Sequence, residues 1–173
     1  MTAIFTRRNS DRAAGFTLVE LLVTLVIMGL LAGMATIAVG GRAHRQARDE
    51  AERLYQLLGF ASEEATLQGE ELGVVIGEDA YSFMRFDGEV EDWVPMEEPH
   101  FAEHTLPPAI HVEVELGESY ELPAGGKDDT GKPEILVLSS GEISPFKVEF
   151  ISTDSEAPAA RINSDGSGTI VWE

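Results

Sequence analysis

The spacing of apolar residues divides the chain into three regimes. The first is Leu21 to Gly40, LLVTLVIMGLLAGMATIAVG, 20 residues without one formal charge. As a helix rising about 1.5 Å per residue, it reaches about 30 Å, the thickness of a bilayer's hydrocarbon core. Gly29 and Gly33 place a G-x-x-x-G inside it. Such a pair lets helix backbones approach and weakens the helix locally, and it is read as close packing or local unwinding rather than specific dimerisation. The second regime follows Gly40-Gly41, a glycine pair that can admit a kink. Apolar residues recur at Ala43, Ala47, Ala51, Leu54, Leu58, Ala61, Ala65 and Leu72. Steps of three, four and seven make one helical stripe. Arg42, Arg45, Arg48, Asp49, Glu52, Arg53, Glu63 and Glu64 lie largely off it, and Gly69 is a stop signal. The pattern predicts one helix from about Phe16 to about Gln68, roughly 80 Å long. Its first half is bare and its second half packs one face on a domain.

The third regime begins at Glu71. Short runs of β-type residues appear: LGVVIG, AYSFMRF, IHVEVEL, EILVLS, FKVEFIS, ARIN and GTIVWE. Gly, Pro, Asp or Ser bound them. In IHVEVEL, the residues Ile110, Val112, Val114 and Leu116 alternate with His111, Glu113 and Glu115, the mark of a half-buried antiparallel strand. NSDGSG reads as a tight turn before the last strand. A long helix followed by an antiparallel sheet predicts an α+β fold. Residues about 96–133 are acidic and carry Pro and Gly, and are expected to form a variable loop region.

Charge sharpens the division. Residues 1–48 hold six arginines against Asp11 and Glu20, a balance of +4. The remaining 29 acids face six Lys and Arg, a balance of −23, which together with +4 makes the net −19. A body this acidic argues against nucleic acid and against anionic headgroups as its partner. It suits solubility, a basic partner, cations or a saline habitat. The absence of cysteine excludes disulfides, thiolate catalysis and Cys-ligated zinc.

Catalytic chemistry finds no foothold. His100 and His104 could share a helix face around a metal, but EEPHFAEHTLPP is bounded by proline and lacks a third ligand, so a surface loop is expected. Ser139-Ser140-Gly141 lacks the G-x-S-x-G frame of a nucleophile elbow. There is no P-loop and no dinucleotide fingerprint. Asp128-Asp129 with Glu134 reads as a solvated turn, and Trp93 and Trp172 as packing residues. The expectation is no enzyme, no metal and no cofactor.

The N-terminus poses a sharper question, because Glu20 stands at the edge of a membrane-length apolar segment. A secretory signal peptide could use Gly33-Met34-Ala35 as its cleavage site, but its apolar core runs about 7–15 residues and starts without an acid. A plain single-span anchor fits the length. Neither accounts for Glu20 or for the polar-to-apolar break at Gly15-Phe16. Arg7, Arg8 and Arg12 precede the span, so the positive-inside rule puts residues 1–15 in the cytoplasm.

The stretch GFTLVELLVTLVIMGLLAG resembles the N-terminal motif of type IV pilins and type II secretion pseudopilins. The resemblance implies that a prepilin peptidase cuts between Gly15 and Phe16 and N-methylates Phe16. Glu20 then becomes the fifth mature residue. A charge at mid-bilayer costs on the order of 2.5–3.5 kcal/mol, and such residues are kept for function and paired. The new amine at Phe16 lies four residues from Glu20, on the same helix face. Its own amine or a neighbouring subunit's amine could pair with it. The resemblance favours the neighbour, and so an assembly role for Glu20.

The body carries a second resemblance. A-x-E-E-A-x-x-x-G-E-x-L-G, from Ala61 to Gly73, and S-S-G-E-x-x-P-F, from Ser139 to Phe146, resemble H-type minor pseudopilins of the type II secretion system. That family implies a type IV pilin-like fold: a long N-terminal helix, its first half transmembrane, packed on an antiparallel sheet domain. It implies a leader at 1–15, a transmembrane and filament-core half at 16–40, an amphipathic half at 41–70 and an acidic periplasmic domain at 71–173. It implies a structural subunit needed for export of folded proteins across the outer membrane. The implied location is the bacterial inner membrane, single-pass, with the N-terminus cytoplasmic. The implied partners are the prepilin peptidase, other minor and major pseudopilins and the inner-membrane assembly platform. Two alternatives remain: a minor pilin priming a type IV pilus, and a membrane-anchored periplasmic binding module with an uncleaved leader.

Overall fold

The computed structural model describes residues 17–117 and 132–173; the side chains of residues 32–40 lie outside the description. Gly15 and Phe16, and the Asp128-Asp129 turn, fall outside it as well. The chain divides into two compact units, Met1–Ala38 and Val39–Glu173.

Helix α1 runs Leu18–Gln68, through Gly40-Gly41. Its start is capped: the Thr17 hydroxyl accepts the Glu20 backbone N–H at 3.2 Å, satisfying one of the orphan donors of a first turn. Its end is set by Gly69, at φ +70°. The N–H groups of Gly69 and Glu70 both donate to the Ala65 carbonyl, at 2.9 and 3.2 Å. A left-handed residue closing the last turn is cheapest as glycine.

Among the described residues of the second unit, nine strands follow: β1 (Leu72–Ile76), β2 (Ala80–Asp87), β3 (Asp92–Pro95), β4 (His104–Thr105), β5 (Ile110–Leu116), β6 (Ile135–Val137), β7 (Phe146–Ser152), β8 (Pro158–Ser164) and β9 (Ile170–Trp172). They form two antiparallel sheets. One has the order β3-β2-β1-β6, with β4 also paired to β2; the other has the order β5-β7-β8-β9. The register of the first sheet sets Leu72 opposite Arg85 on one side and Val137 on the other.

One core joins the helix to both sheets. Ala47, Ala51, Leu54, Leu58, Ala61 and Ala65 are fully buried, with Phe83 and Ile135 from the first sheet and Val148, Phe150 and Ile162 from the second. The expected stripe is therefore the packed face. Small residues toward its N-terminal end let the helix lie close; leucines further along fill the wider space. Leu57 joins the core beside the expected stripe.

Two features differ from the sequence expectation. Part of the stretch about 96–133, read as loop around the IHVEVEL strand, also holds β4 and buries Met96, Phe101 and Leu106. Phe101 stacks on Phe83 at 4.9 Å between ring centroids. That apolar anchor ties the segment down and carries His104 inward. His104 is not a surface-loop residue: its Nε2 lies 2.8 Å from Glu50 of α1, and its ring tilts against Tyr81 at 5.2 Å. His100 stays exposed, and among the described residues no three His, Asp or Glu side chains cluster as metal ligands would.

Candidate functional site: a bare helical segment and a motif junction

The first unit presents the least protected apolar surface of the described chain. Leu18, Val19, Leu21, Leu22, Val23, Leu25, Val26, Ile27, Met28, Leu30 and Leu31 are 48% to 81% exposed. Apolar residues occupy every face of this segment, and a helix of that kind belongs inside other apolar matter, lipid or protein. Among the described residues, no helix is long and apolar enough to cross a membrane; the span read from the sequence includes residues 32–40, whose side chains are not described.

Glu20 is the one acid in the first turn of α1 and is exposed. Thr17-Leu18-Val19-Glu20 has the form of a capping box. Only half of it is made: the backbone N–H of Glu20 bonds Thr17, while its carboxylate makes no hydrogen bond among the described residues. Thr24 folds back on its own turn, donating to the carbonyls of Glu20 and Leu21 at 3.0 and 2.9 Å. The segment thus satisfies its own hydroxyls and leaves the Glu20 carboxylate without a partner among the described residues. Phe16 and Gly15, the expected processing residues, lie outside the described residues.

The two body motifs meet each other. The Glu71 carboxylate, at the exit of α1, accepts the N–H of Ser139 at 3.1 Å and its hydroxyl at 2.8 Å. The turn itself closes through Leu138 N–H to the Glu142 carbonyl at 2.8 Å and Gly141 N–H to the Leu138 carbonyl at 2.9 Å, with Gly141 at φ +87°. Ser144 is buried and its hydroxyl accepts the Leu136 N–H at 2.9 Å. Gly168, at φ +86°, brings the β8–β9 turn so close that a Cβ there would sit 2.3 Å from the Gly141 carbonyl oxygen. Gly73 is pressed against Pro133 and Trp93 in the same way. These residues are a structural keystone between α1 and both sheets. The two motifs are legible in the sequence, but their contact is not, since the residues that meet lie 68 positions apart.

Elsewhere the acidic surface carries local pairs. Arg161 bonds Glu149 through Nε at 2.8 Å and Glu173 through Nη1 at 3.1 Å. Lys147 pairs with Glu115. The hydrogen bond from Lys147 holds the Glu115 carboxyl below its ordinary value. The side-chain hydroxyl and N–H of Ser167 do the same for Asp165, in the turn before β9. Exposed pairs like these contribute little stability.

Comparison with known proteins matches both ends of this picture. A family model described as the prokaryotic N-terminal methylation motif matches residues 10–36. A second, the type II transport protein GspH, matches residues 50–168. The type II secretion system protein H of Pseudomonas aeruginosa is 36% identical over 159 residues, covering 88% of this chain and 91% of that protein. Its counterpart from Aeromonas hydrophila is 29% identical over 154 residues, covering 84% of each. Among solved structures, the minor pseudopilin EpsH from the type 2 secretion system of Vibrio cholerae superposes with a TM-score of 0.60 at 26% identity, over 73% of this chain and 94% of that one. The solution structure of E. coli GspH shares the fold, with a TM-score of 0.59 at 21% identity over 76% of this chain and 89% of that one.

Proposed function

The chain belongs to the type II transport protein GspH family and is a minor pseudopilin, a structural subunit of the type II secretion pseudopilus; from that premise, we propose how it is processed, anchored and assembled. The prepilin peptidase removes residues 1–15, cutting between Gly15 and Phe16, and methylates the new amine of Phe16. The methylation motif over residues 10–36 supports this. Residues 16–40 then anchor the subunit in the inner membrane by a single span, with residues 71–173 in the periplasm. Counting arginines does not decide the orientation: Arg7, Arg8 and Arg12 precede the span, while Arg42, Arg45 and Arg48 follow it closely. The leader's resemblance to peptidase substrates, cut at the cytoplasmic face, supports N-in.

The observation that carries the assembly reading is the bare apolar segment with one carboxylate unpartnered among the described residues. Its exposed leucines and valines suit lipid before assembly and neighbouring helices after it. Glu20 pairs with the Phe16 amine of a neighbour and sets the stagger between subunits. The subunit acts without catalysing a reaction, joining major and other minor pseudopilins on the inner-membrane assembly platform to help export folded proteins.

Intact-mass measurement of the membrane-extracted protein tests the processing. Loss of residues 1–15 with a gain of one methyl group is expected; an intact leader would instead favour the membrane-anchored binding module. Deleting the gene tests the machine. Exoenzymes trapped in the periplasm with surface pili retained is the expected result, and normal secretion with lost pili would transfer the subunit to a type IV pilus. Glu20→Leu should leave processing intact and lower incorporation into filaments; normal incorporation would remove Glu20 from assembly.

A further inference from the structure

Three arginines stand directly after the uncharged segment: Arg42, Arg45 and Arg48. All are exposed, while Ala43 and Ala47 between them are buried. At 3.6 residues per turn, the three fan across the half of α1 turned away from the buried stripe. None makes an ion pair among the described residues, in a chain with 31 Asp and Glu. None is part of the buried core, though Arg48 borders a surface cleft with Glu52, Tyr55 and Trp172. Nor does the positive-inside rule account for them, since they balance the arginines of the leader.

Resting on the membrane-anchored reading above, we propose that Arg42, Arg45 and Arg48 form a collar that binds the phosphates of anionic phospholipid headgroups where the helix leaves the bilayer. Headgroup layers add about 5–7 Å to each side of the hydrocarbon core. Along a helix, Arg42 and Arg48 stand about 3 and about 12 Å beyond Gly40. Arginine stems reach several ångströms back toward the interface, and the guanidinium fork matches phosphate oxygens in pairs.

The acidic body does not oppose this. Asp49 and Glu52 follow Arg48 within about one helical turn and offset part of its charge, so Arg42 and Arg45, about 3 and about 8 Å beyond Gly40, carry most of the attraction. Acids more than about 10 Å from the surface are largely screened at 0.1 M salt. The collar, at the surface itself, is not. The neck is held at the headgroups, and the subunit must release them to enter a filament. A second copy's acidic body offers similar charge. Lipid is favoured because a span held in the bilayer keeps the collar at headgroup level in every copy, before any neighbour arrives.

The chain has no cysteine, so a nitroxide on Gln46→Cys, an exposed position between the arginines, reports the collar alone. The full chain is placed in nanodiscs with or without phosphatidylglycerol, and the label's access to an aqueous nickel relaxant is measured. Anionic lipid is expected to reduce access about fivefold or more, the factor one arginine at a charged surface supplies. High salt should restore access, and a combined Arg42→Gln, Arg45→Gln, Arg48→Gln variant should show no lipid dependence. Equal access in both lipids, in a chain that inserts, overturns the collar and leaves the anchor reading standing. A chain that does not insert overturns both. Label–label broadening that grows with protein density and ignores lipid charge assigns the arginines to a second copy, and overturns the lipid assignment.

Discussion

Replacing Glu71 by alanine should loosen the keystone without touching the apolar core. Its carboxylate receives two hydrogen bonds from Ser139, at 3.1 Å from the backbone and 2.8 Å from the hydroxyl. Hydrogen bonds to a charged group contribute about 1.5–3 kcal/mol each when sheltered. Glu71 is only half-buried, so water replaces part of what is lost. A net destabilisation of about 2 kcal/mol is expected. For a chain of this length, each kcal/mol moves the melting temperature by about 2–4 °C, giving a fall of about 4–8 °C. Glu71→Gln keeps one acceptor oxygen and should fall by about half as much. Glu63→Ala, on an exposed position of α1, is the control and should change nothing measurable. Thermal unfolding followed by tryptophan fluorescence is a fitting assay, because Trp93 packs against Gly73, two residues from the perturbation. If Glu71→Ala melts within about 1 °C of the parent, the junction contributes no net energy and the argument from its geometry fails.

Burial first, opposed by Arg53 and reinforced by Glu50, pushes the Tyr81 phenol up to about 12. The folded chain holds that proton more tightly than the unfolded one, so up to about 2–3 kcal/mol is complete below pH ~10 and lost between pH ~10 and ~12. Stability measured across that window should fall in the parent and fall less in Tyr81→Phe; a Tyr81 that ionises near its ordinary value of 10.0 would refute it. Gly168→Ala adds a Cβ 2.3 Å from the Gly141 carbonyl at a φ of +86°. Strain of about 1–3 kcal/mol plus the clash should lower the midpoint of urea unfolding, and an unchanged midpoint would mean the two turns separate freely. Leu54→Ala empties a fully buried site at the helix face and should cost about 2–5 kcal/mol by the same measurement; a loss under about 1 kcal/mol would mean the core collapses around it.

Periodicity in the chain settled the kind of each major element before any tertiary information. Steps of three and four from Ala43 to Ala65 named the buried face of α1, and every one of those residues is buried. Gly69 named its end. Alternation in IHVEVEL named β5, whose Ile110 is buried and whose His111, Glu113 and Glu115 are exposed. The helix-plus-sheet order named an α+β, pilin-like fold. These are local properties, written in the spacing of neighbours a few residues apart. Gly15 and Phe16 are proposed for processing and Glu20 for assembly on a short contiguous stretch of sequence alone. They remain proposals, with Gly15 and Phe16 outside the described residues.

Contacts between distant segments were not legible. Strands β3 and β4 span four and two residues, too short to show a period. His104 sits where it does because Phe101, three residues before it, is held against Phe83; its bond to Glu50 crosses 54 residues of chain. Glu71 and Ser139 are 68 residues apart, and nothing in either motif points to the other. A hydrogen bond depends on ångströms and angles that only the folded backbone supplies. So the chain alone determined the helix, the longer strands and the membrane-length apolar segment, and only the tertiary structure decided the short strands and which side chains meet. Local backbone preference and burial pattern act over a few residues, whereas pairing across the core is set by how whole elements pack.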